Sequence, residues 1–277
     1  MIKNYTLEPD DYTADAVHDN DLPLLQWLVQ RGAISRGIDE ALELAAEEGN
    51  LEAIKWIIEE SMCEYDSLSY ILGVAADHNR LEVVKYLVER GEKDLNHSLM
   101  AAARQSNLEI VKYLICKGAN ALDDAIVVAA GSDGDNIPII EYLVEQGVIY
   151  LDDALQAAAE YGSLETVQWF VKHGACNVHD ALKAAIYGNS LPIVKWLITQ
   201  TATDVNVALV TAVKAQNLLI TQWLIEERSA DIECVVHMIT TKRTAVIDYL
   251  RSTRNKNYLL MKNKEYMSIN KECMVKK

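Results

Sequence analysis

The chain has 277 residues, 50% apolar and 24% charged, which is enough apolar content to fill a core and excludes wholesale disorder. Its 26 Lys+Arg against 41 Asp+Glu give a net charge of −15, which repels phosphate and argues against nucleic acid as a partner. No apolar run approaches the ~20 residues that span a bilayer. The opening MIKNYTLEPDDY has no apolar run of the secretory kind. The five Cys are scattered, at Cys63, Cys116, Cys176, Cys234 and Cys273, with no C-x-x-C pair. A reducing, cytoplasmic setting with free thiols is therefore expected, and the sequons at Asn4 and Asn96 are then chance matches.

Residues 1–9 precede a pattern that recurs along the chain to about residue 250. Its clearest copies are L-E-V-V-K-Y-L-V-E-R-G at Leu81–Gly91, L-E-I-V-K-Y-L-I-C-K-G at Leu108–Gly118 and L-E-T-V-Q-W-F-V-K-H-G at Leu164–Gly174. Weaker copies begin at Leu22, Leu51, Ile137, Leu191 and Leu218, and a degraded ninth begins at Thr244. Their aromatic residues align as Trp27, Trp56, Tyr86, Tyr113, Tyr142, Trp169, Trp196, Trp223 and Tyr249, so all five Trp of the protein fall in one column. The spacing is mostly 27 residues, and a period of that size marks a repeat architecture.

Each phrase reads as a helix. At 100° per residue, Glu165, Gln168 and Lys172 share a narrow polar stripe, while Leu164, Val167, Trp169, Phe170 and Val171 fill most of the circumference. A helix apolar on two sides packs between neighbours, as stacked repeats require. The aromatic column is accordingly expected in the core. Pro23, Pro138 and Pro192 stand where other repeats place Glu52, Glu82, Glu109 and Glu165, and both residue types suit a first helical turn. Gly32, Gly91, Gly118, Gly147 and Gly174 then end the helix. A second, shorter helix is predicted before each phrase from the pattern A-L-x-x-A-A at Ala41–Ala46, Ala154–Ala159 and Ala181–Ile186. Asp153, Asp180 and Asn206 fit its N-cap.

These units resemble the ankyrin repeat. The resemblance is carried by A-A-E-Y-G-S-L-E-T-V-Q-W-F-V-K-H-G-A at Ala158–Ala175 and A-A-E-E-G-N-L-E-A-I-K-W-I-I at Ala45–Ile58. It covers residues 10–250. Two features depart from the family pattern: the usual period is about 33 residues, and the T-P-L-H start of the first helix is missing. Both place the change in the loop between repeats, so the β-turn fingers are read as shortened. Repeats of this short style are similar to those of giant-virus, intracellular-bacterial and protist ankyrin proteins. The expected fold is all-α: an α-solenoid of about nine stacked helix-turn-helix repeats, followed by a basic tail over 251–277. That tail holds eight Lys/Arg and two Glu, net +6, leaving −21 for the remainder.

Chemistry of other kinds is weakly signalled. His173-x-x-Cys176-x-x-His179 is a tight His/Cys cluster, but the flanking loops offer no fourth ligand for zinc. Asp133-Gly134-Asp135-Asn136 opens like a calcium loop and lacks the Glu at its twelfth position. It is better read as an insertion in a turn. Glu47-Glu48 and Asp123-Asp124 recur at exposed repeat positions, and no catalytic glycine loop, nucleophile elbow or zinc-protease motif is present. We expect no enzyme, no cofactor and no metal.

The resemblance implies protein–protein recognition on the concave face, through the residues that follow the A-A of each first helix. These are His18 and Asp19, Glu47 and Glu48, Asp77 and His78, Arg104 and Gln105, Glu160 and Tyr161, Tyr187, and Lys214. The set is acidic in the first three repeats and includes two Tyr later. Charges steer association and Tyr is enriched at interfaces, so a protein partner with a basic patch is expected. A monomer in the cytoplasm is expected, or in host cytosol for a viral or bacterial effector. The alternative is a structural or regulatory subunit docked to a membrane or larger assembly through its basic tail.

Overall fold

The structure is a computed structural model that describes residues 12–30, 35–60, 68–132, 136–200, 204–238 and 244–254. In chain order the helices are α1 (Thr13–His18), α2 (Leu22–Gln30), α3 (Ser35–Glu48), α4 (Leu51–Glu60), α5 (Ser69–Asp77), α6 (Leu81–Glu89), α7 (Leu95–Arg104) and α8 (Leu108–Cys116). They continue as α9 (Leu122–Ala130), α10 (Ile137–Glu145), α11 (Asp152–Tyr161), α12 (Leu164–Lys172), α13 (Val178–Tyr187), α14 (Leu191–Gln200), α15 (Val205–Lys214) and α16 (Leu218–Glu226). A 3₁₀ segment, Ile232–Met238, and a helix α17 over residues 245–254 stand where the degraded ninth repeat was read. The described residues contain no strand. The all-α repeat solenoid with shortened fingers is therefore borne out.

The chain divides into two compact units, Met1–Ala154 and Leu155–Lys277. In the first, successive first helices pack on one another: α1 on α3, α3 on α5, α5 on α7 and α7 on α9. In the second, α13 packs on α15 and α12 on α14. Close approach of first helices follows from their alanines. Ala45, Ala75, Ala102, Ala158, Ala185 and Ala212 are all fully buried. Second helices supply bulk in the form of Ile54, Ile57, Leu87, Ile110, Leu114, Phe170, Leu197 and Leu224, also fully buried. Each such side chain contributes about 1.5–3 kcal/mol by leaving water.

Helix ends follow from backbone chemistry. Gly118 adopts φ 110° after α8, and its N–H donates to the Ile115 carbonyl while Ala119 N–H donates to Leu114. This is the left-handed cap that closes a helix on glycine. The turn between the two helices of a repeat reaches the same region at Asn20, Asn79, Ser106, Asn189 and Gln216, with φ between 53° and 62°. Pro138 occupies the first turn of α10, as the sequence requires.

Three sequence expectations need correction. First, the N-caps of α13 and α15 are Asn177 and Asp204, which accept from the backbone N–H of Asp180 and Asn206. Asp180 and Asn206 therefore lie inside the first turn, and so does Asp153 in α11. These caps start the helices earlier, and α13 and α15 reach 10 residues against 9 for α12 and α16. Apart from α1, at 6 residues against 9 for α2, the first helix is thus not the shorter one.

Second, the aromatic column is not fully buried. Trp27 is 50% exposed, and Trp56, Tyr86, Tyr113, Tyr142, Trp169, Trp196, Trp223 and Tyr249 are half-buried. Tyr86, Tyr142, Trp223 and Tyr249 lie against polar residues of the preceding second helix. Lys55 Nζ stands 6.0 Å from the Tyr86 ring centre, and Lys195 Nζ 5.4 Å from that of Trp223. The hydroxyls of Tyr86 and Tyr249 donate to Glu59 and Glu226 at 2.8 and 2.9 Å. Amphipathic rings with a polar handle suit this half-wet seam.

Third, the repeats are tied by asparagines to which the sequence reading gave no structural role. Asn107 Nδ2 donates to the carbonyls of Ala76 and Asp77 at 2.7 and 3.1 Å, and Asn217 Nδ2 to that of Ile186 at 3.3 Å. Each satisfies a carbonyl orphaned at the end of the preceding repeat's first helix. Asn96 Oδ1 accepts from the backbone N–H of Asn120 and Ala121 in the next inter-repeat loop, which orders a loop too short for a hairpin. The readings made for residues 1–9, Gly32, Asp133–Asp135 and the tail from 255 onward lie outside the described residues, as do Cys63 and Cys273.

Candidate functional site

Each residue read as a contact stands at one structural position, the C-terminal end of a first helix. His18 closes α1 with Asp19 as its cap, and Glu47 and Glu48 close α3. Asp77 closes α5 with His78 next, and Arg104 closes α7 with Gln105 next. Glu160 and Tyr161 close α11, Tyr187 closes α13 and Lys214 closes α15. None is buried.

In the first unit these ends are joined across repeats. His18 Nδ1 lies 2.7 Å from Glu48 Oε1, and this hydrogen bond, with the carboxylate charge, raises the His18 imidazole above its ordinary value. Gln105 Nε2 donates to Asp77 Oδ2 at 3.1 Å, and Arg104 lies 3.8 Å from Asp77 Oδ1. Arg80 Nε donates to the Glu47 carbonyl at 2.6 Å.

Between α3, α5 and α7, Glu47, Asp77, His78 and Arg104 border an open cleft of about 300 Å³, which also takes in Glu43, Tyr70, Gly73 and His97. Tyr70 is 57% exposed, and its hydroxyl donates to Glu43 at 2.5 Å. That bond, then burial, raises the phenol above its ordinary value. The added lining residues were legible in principle: Glu43 lies four residues before Glu47, and Gly73 four before Asp77, the spacing of one helix face. Carboxylates in a last helical turn face the negative end of the helix dipole, a placement that costs roughly 0.3–1 kcal/mol each where no cation answers it.

In the second unit the same position has a different chemistry. Tyr161 and Tyr187 are 64% and 58% exposed. The Tyr161 hydroxyl is tied to Glu160, which raises its phenol. Gly188, the cap of α13, backs onto the Glu160 carbonyl so closely that a Cβ there would overlap it. No hydrogen bond or ring contact among the described residues joins Tyr161, Tyr187 and Lys214.

The other clusters resolve into local structure. His173 stacks on Trp169 at 3.9 Å between ring centres, and its Nδ1 donates to the Trp169 carbonyl at 2.7 Å. Cys116 and Cys176 are exposed. Among the described residues no group of three or more His, Cys, Asp or Glu is arranged to hold a metal ion. None of the described helices is long and apolar enough to cross a membrane.

Comparison with known proteins places a family model described as ankyrin repeats (3 copies) on residues 14–98, 42–125, 99–181, 126–208 and 155–236. No curated protein sequence matches the chain. Among solved structures, one titled Bd0816 predatory endopeptidase from Bdellovibrio bacteriovorus in complex with immunity protein Bd3460 is similar at 22% identity. It covers 58% of this chain and 98% of its own, with a TM-score of 0.45.

Proposed function

The chain belongs to the ankyrin repeat family, and from that premise we propose that it is a protein-recognition scaffold or adaptor rather than an enzyme. It binds its partner on the face made by the first-helix ends. The observation that supports this most is the repetition of exposed or half-buried, chemically distinctive side chains at one place along the repeats: His18, Asp19, Glu47, Glu48, Asp77, His78, Arg104 and Gln105, then Glu160, Tyr161, Tyr187 and Lys214. A surface with no such role needs neither a run of carboxylates at helix C-termini nor two tyrosines more than half exposed.

We read the partner as a protein with a basic patch, met by a monomer in the cytoplasm. The array is taken as residues 10–250, with 251–277 appended as a basic segment. Acidic ends on a body of charge −21 raise the rate of encounter with a cationic surface. The test is affinity capture from a cytosolic extract with the full chain and with Glu47→Lys/Glu48→Lys/Asp77→Lys, followed by reconstitution of the pair from purified proteins. A protein retained by the parent and lost by the triple variant supports the reading. A partner held equally by both moves recognition off this face.

A further inference from the structure

In the second unit the ends of successive first helices present a ring, a ring and an ammonium: Tyr161 on α11, Tyr187 on α13 and Lys214 on α15. Both tyrosines are more than half exposed. Lys214 is exposed, and its ammonium makes no ion pair or hydrogen bond among the described residues. The Tyr187 hydroxyl is unengaged in the same way, whereas that of Tyr161 donates to Glu160. Gly188, next after Tyr187, abuts the carbonyl of Glu160, next before Tyr161. That contact fixes the two helix ends side by side, and α13 packs on α15 in turn. The two tyrosine rings do not touch each other. Packed helices stand about 8–10 Å apart, so the three groups follow one another at about that step.

We infer that this face grips an extended, proline-rich segment of the protein partner, with prolines three residues apart on Tyr161 and Tyr187 and an acidic residue three further on at Lys214. The inference rests on the recognition reading and names what the second unit takes from the partner. A polyproline II chain advances about 9 Å in three residues, which matches the step between the repeats. Its backbone carbonyls are free, and one of them gives the Tyr187 hydroxyl an acceptor. An α-helix spends its carbonyls internally and is about 10–12 Å wide, which suits a broad apolar groove better than two separate rings. Prolines pack on aromatic rings and reach the site already extended, with little freedom to lose. A cationic segment is disfavoured here, because Lys214 repels it and Glu160 is already engaged.

The test is a titration of the ¹⁵N-labelled full chain with the acetylated, amidated peptide Pro-Ala-Ala-Pro-Ala-Ala-Glu and with its reverse, so that both chain directions are sampled. Saturable shifts centred on the Gly162, Gly188 and Ala215 amides are expected with one of them. A third alanine between the prolines breaks the three-residue step and is expected to weaken binding about tenfold, as the loss of one of two ring contacts implies. Tyr161→Ala and Tyr187→Ala each weaken it by a similar factor with the melting curve unchanged. Tyr187→Phe, which keeps the ring and removes the donor, weakens it less. Lys214→Glu weakens the peptide ending in glutamate about threefold and leaves its alanine-ended analogue unchanged. No saturable shift with either peptide, equal binding of the three-alanine peptide, or indifference to Tyr161→Ala/Tyr187→Ala overturns the inference. A reconstituted partner that loses affinity with Tyr161→Ala/Tyr187→Ala but is not displaced by the peptide at saturating concentration also overturns it, and leaves the recognition reading standing.

Discussion

The two units place different chemistry at the same position. In the first, the ends of the first helices are charged and knotted to their neighbours by side chains, through His18–Glu48, Gln105–Asp77 and Arg80 to the Glu47 carbonyl. In the second, the corresponding ends carry two exposed tyrosines, Tyr161 tied only to its neighbour Glu160, over a tight backbone contact between Gly188 and Glu160. The helix pair and its alanine seam are the same in both units. Repeat architecture fixes the packing inward, and the last turn of each first helix is free to vary with whatever it meets.

The comparison holds only if the cores are alike, and that carries the largest expected effects. Leu87→Ala in the first unit and Phe170→Ala in the second, both fully buried, are each expected to cost about 2–5 kcal/mol. Chemical denaturation of the two variants checks this. Trp169→Ala, on a half-buried seam, is expected to cost clearly less than Phe170→Ala. An equal loss would return the aromatic column to the core. Because repeats contact only their neighbours, the damage should stay close to the substituted repeat.

The helix ends themselves give the next largest contrast. Gly188→Ala drives a methyl into the Glu160 carbonyl and is expected to cost about 1–3 kcal/mol as an overpacked site. Gly73→Ala meets only the edge of the His97 ring, which is able to move aside, so its cost should be smaller. Thermal melting of the pair decides it, and the reverse order would mean that the second unit is not the one locked by its backbone.

A smaller effect tests the polar ties of the first unit. The bond to Glu48 raises the His18 imidazole above its ordinary value of about 6.5. A raised value in the folded state makes the bond stabilising below that ordinary value, and the contribution fades as pH rises through the folded-state value. NMR titration of the His18 ring is expected to show the upward shift, and Glu48→Gln to lower it. A ring that titrates normally in the parent would leave α1 and α3 untied at this end.

Much of this was legible in the sequence because the repeat is a one-dimensional signal. Nine aromatics in register located the helices, and the residues after each A-A were placed at the helix ends where the structure has them. The depth of the aromatic column was not legible. Helical phase at Tyr86 says which side its ring faces, but not that the preceding second helix presents Lys55 there rather than a buried leucine. The caps at Asn177 and Asp204 were missed because Asp180 and Asn206, two or three residues on, are also capping types. The ties made by Asn96 and Asn107 depend on partners 24 to 31 residues away, in another repeat, which no local pattern displays. The cleft was half seen: its rim residues were named, Glu43 and Gly73 were within reach of helical spacing from them, and Tyr70 required the packing of neighbouring helices.

The central claim is that the charged helix ends of the first unit steer a basic partner onto this face. Association kinetics of the reconstituted partner test it most directly, with the parent and with Glu47→Lys/Glu48→Lys/Asp77→Lys, from low salt to about 0.5 M, where charges are screened beyond a few Å. A melting curve of the triple variant accompanies the kinetics, because Glu48 and Asp77 also tie neighbouring helices through His18 and Gln105. The account expects slower association for the triple variant and a parent rate that falls with salt, with dissociation changing less. A triple variant that associates like the parent, in a reaction indifferent to salt, would contradict it and leave Tyr161 and Tyr187 as the recognition surface.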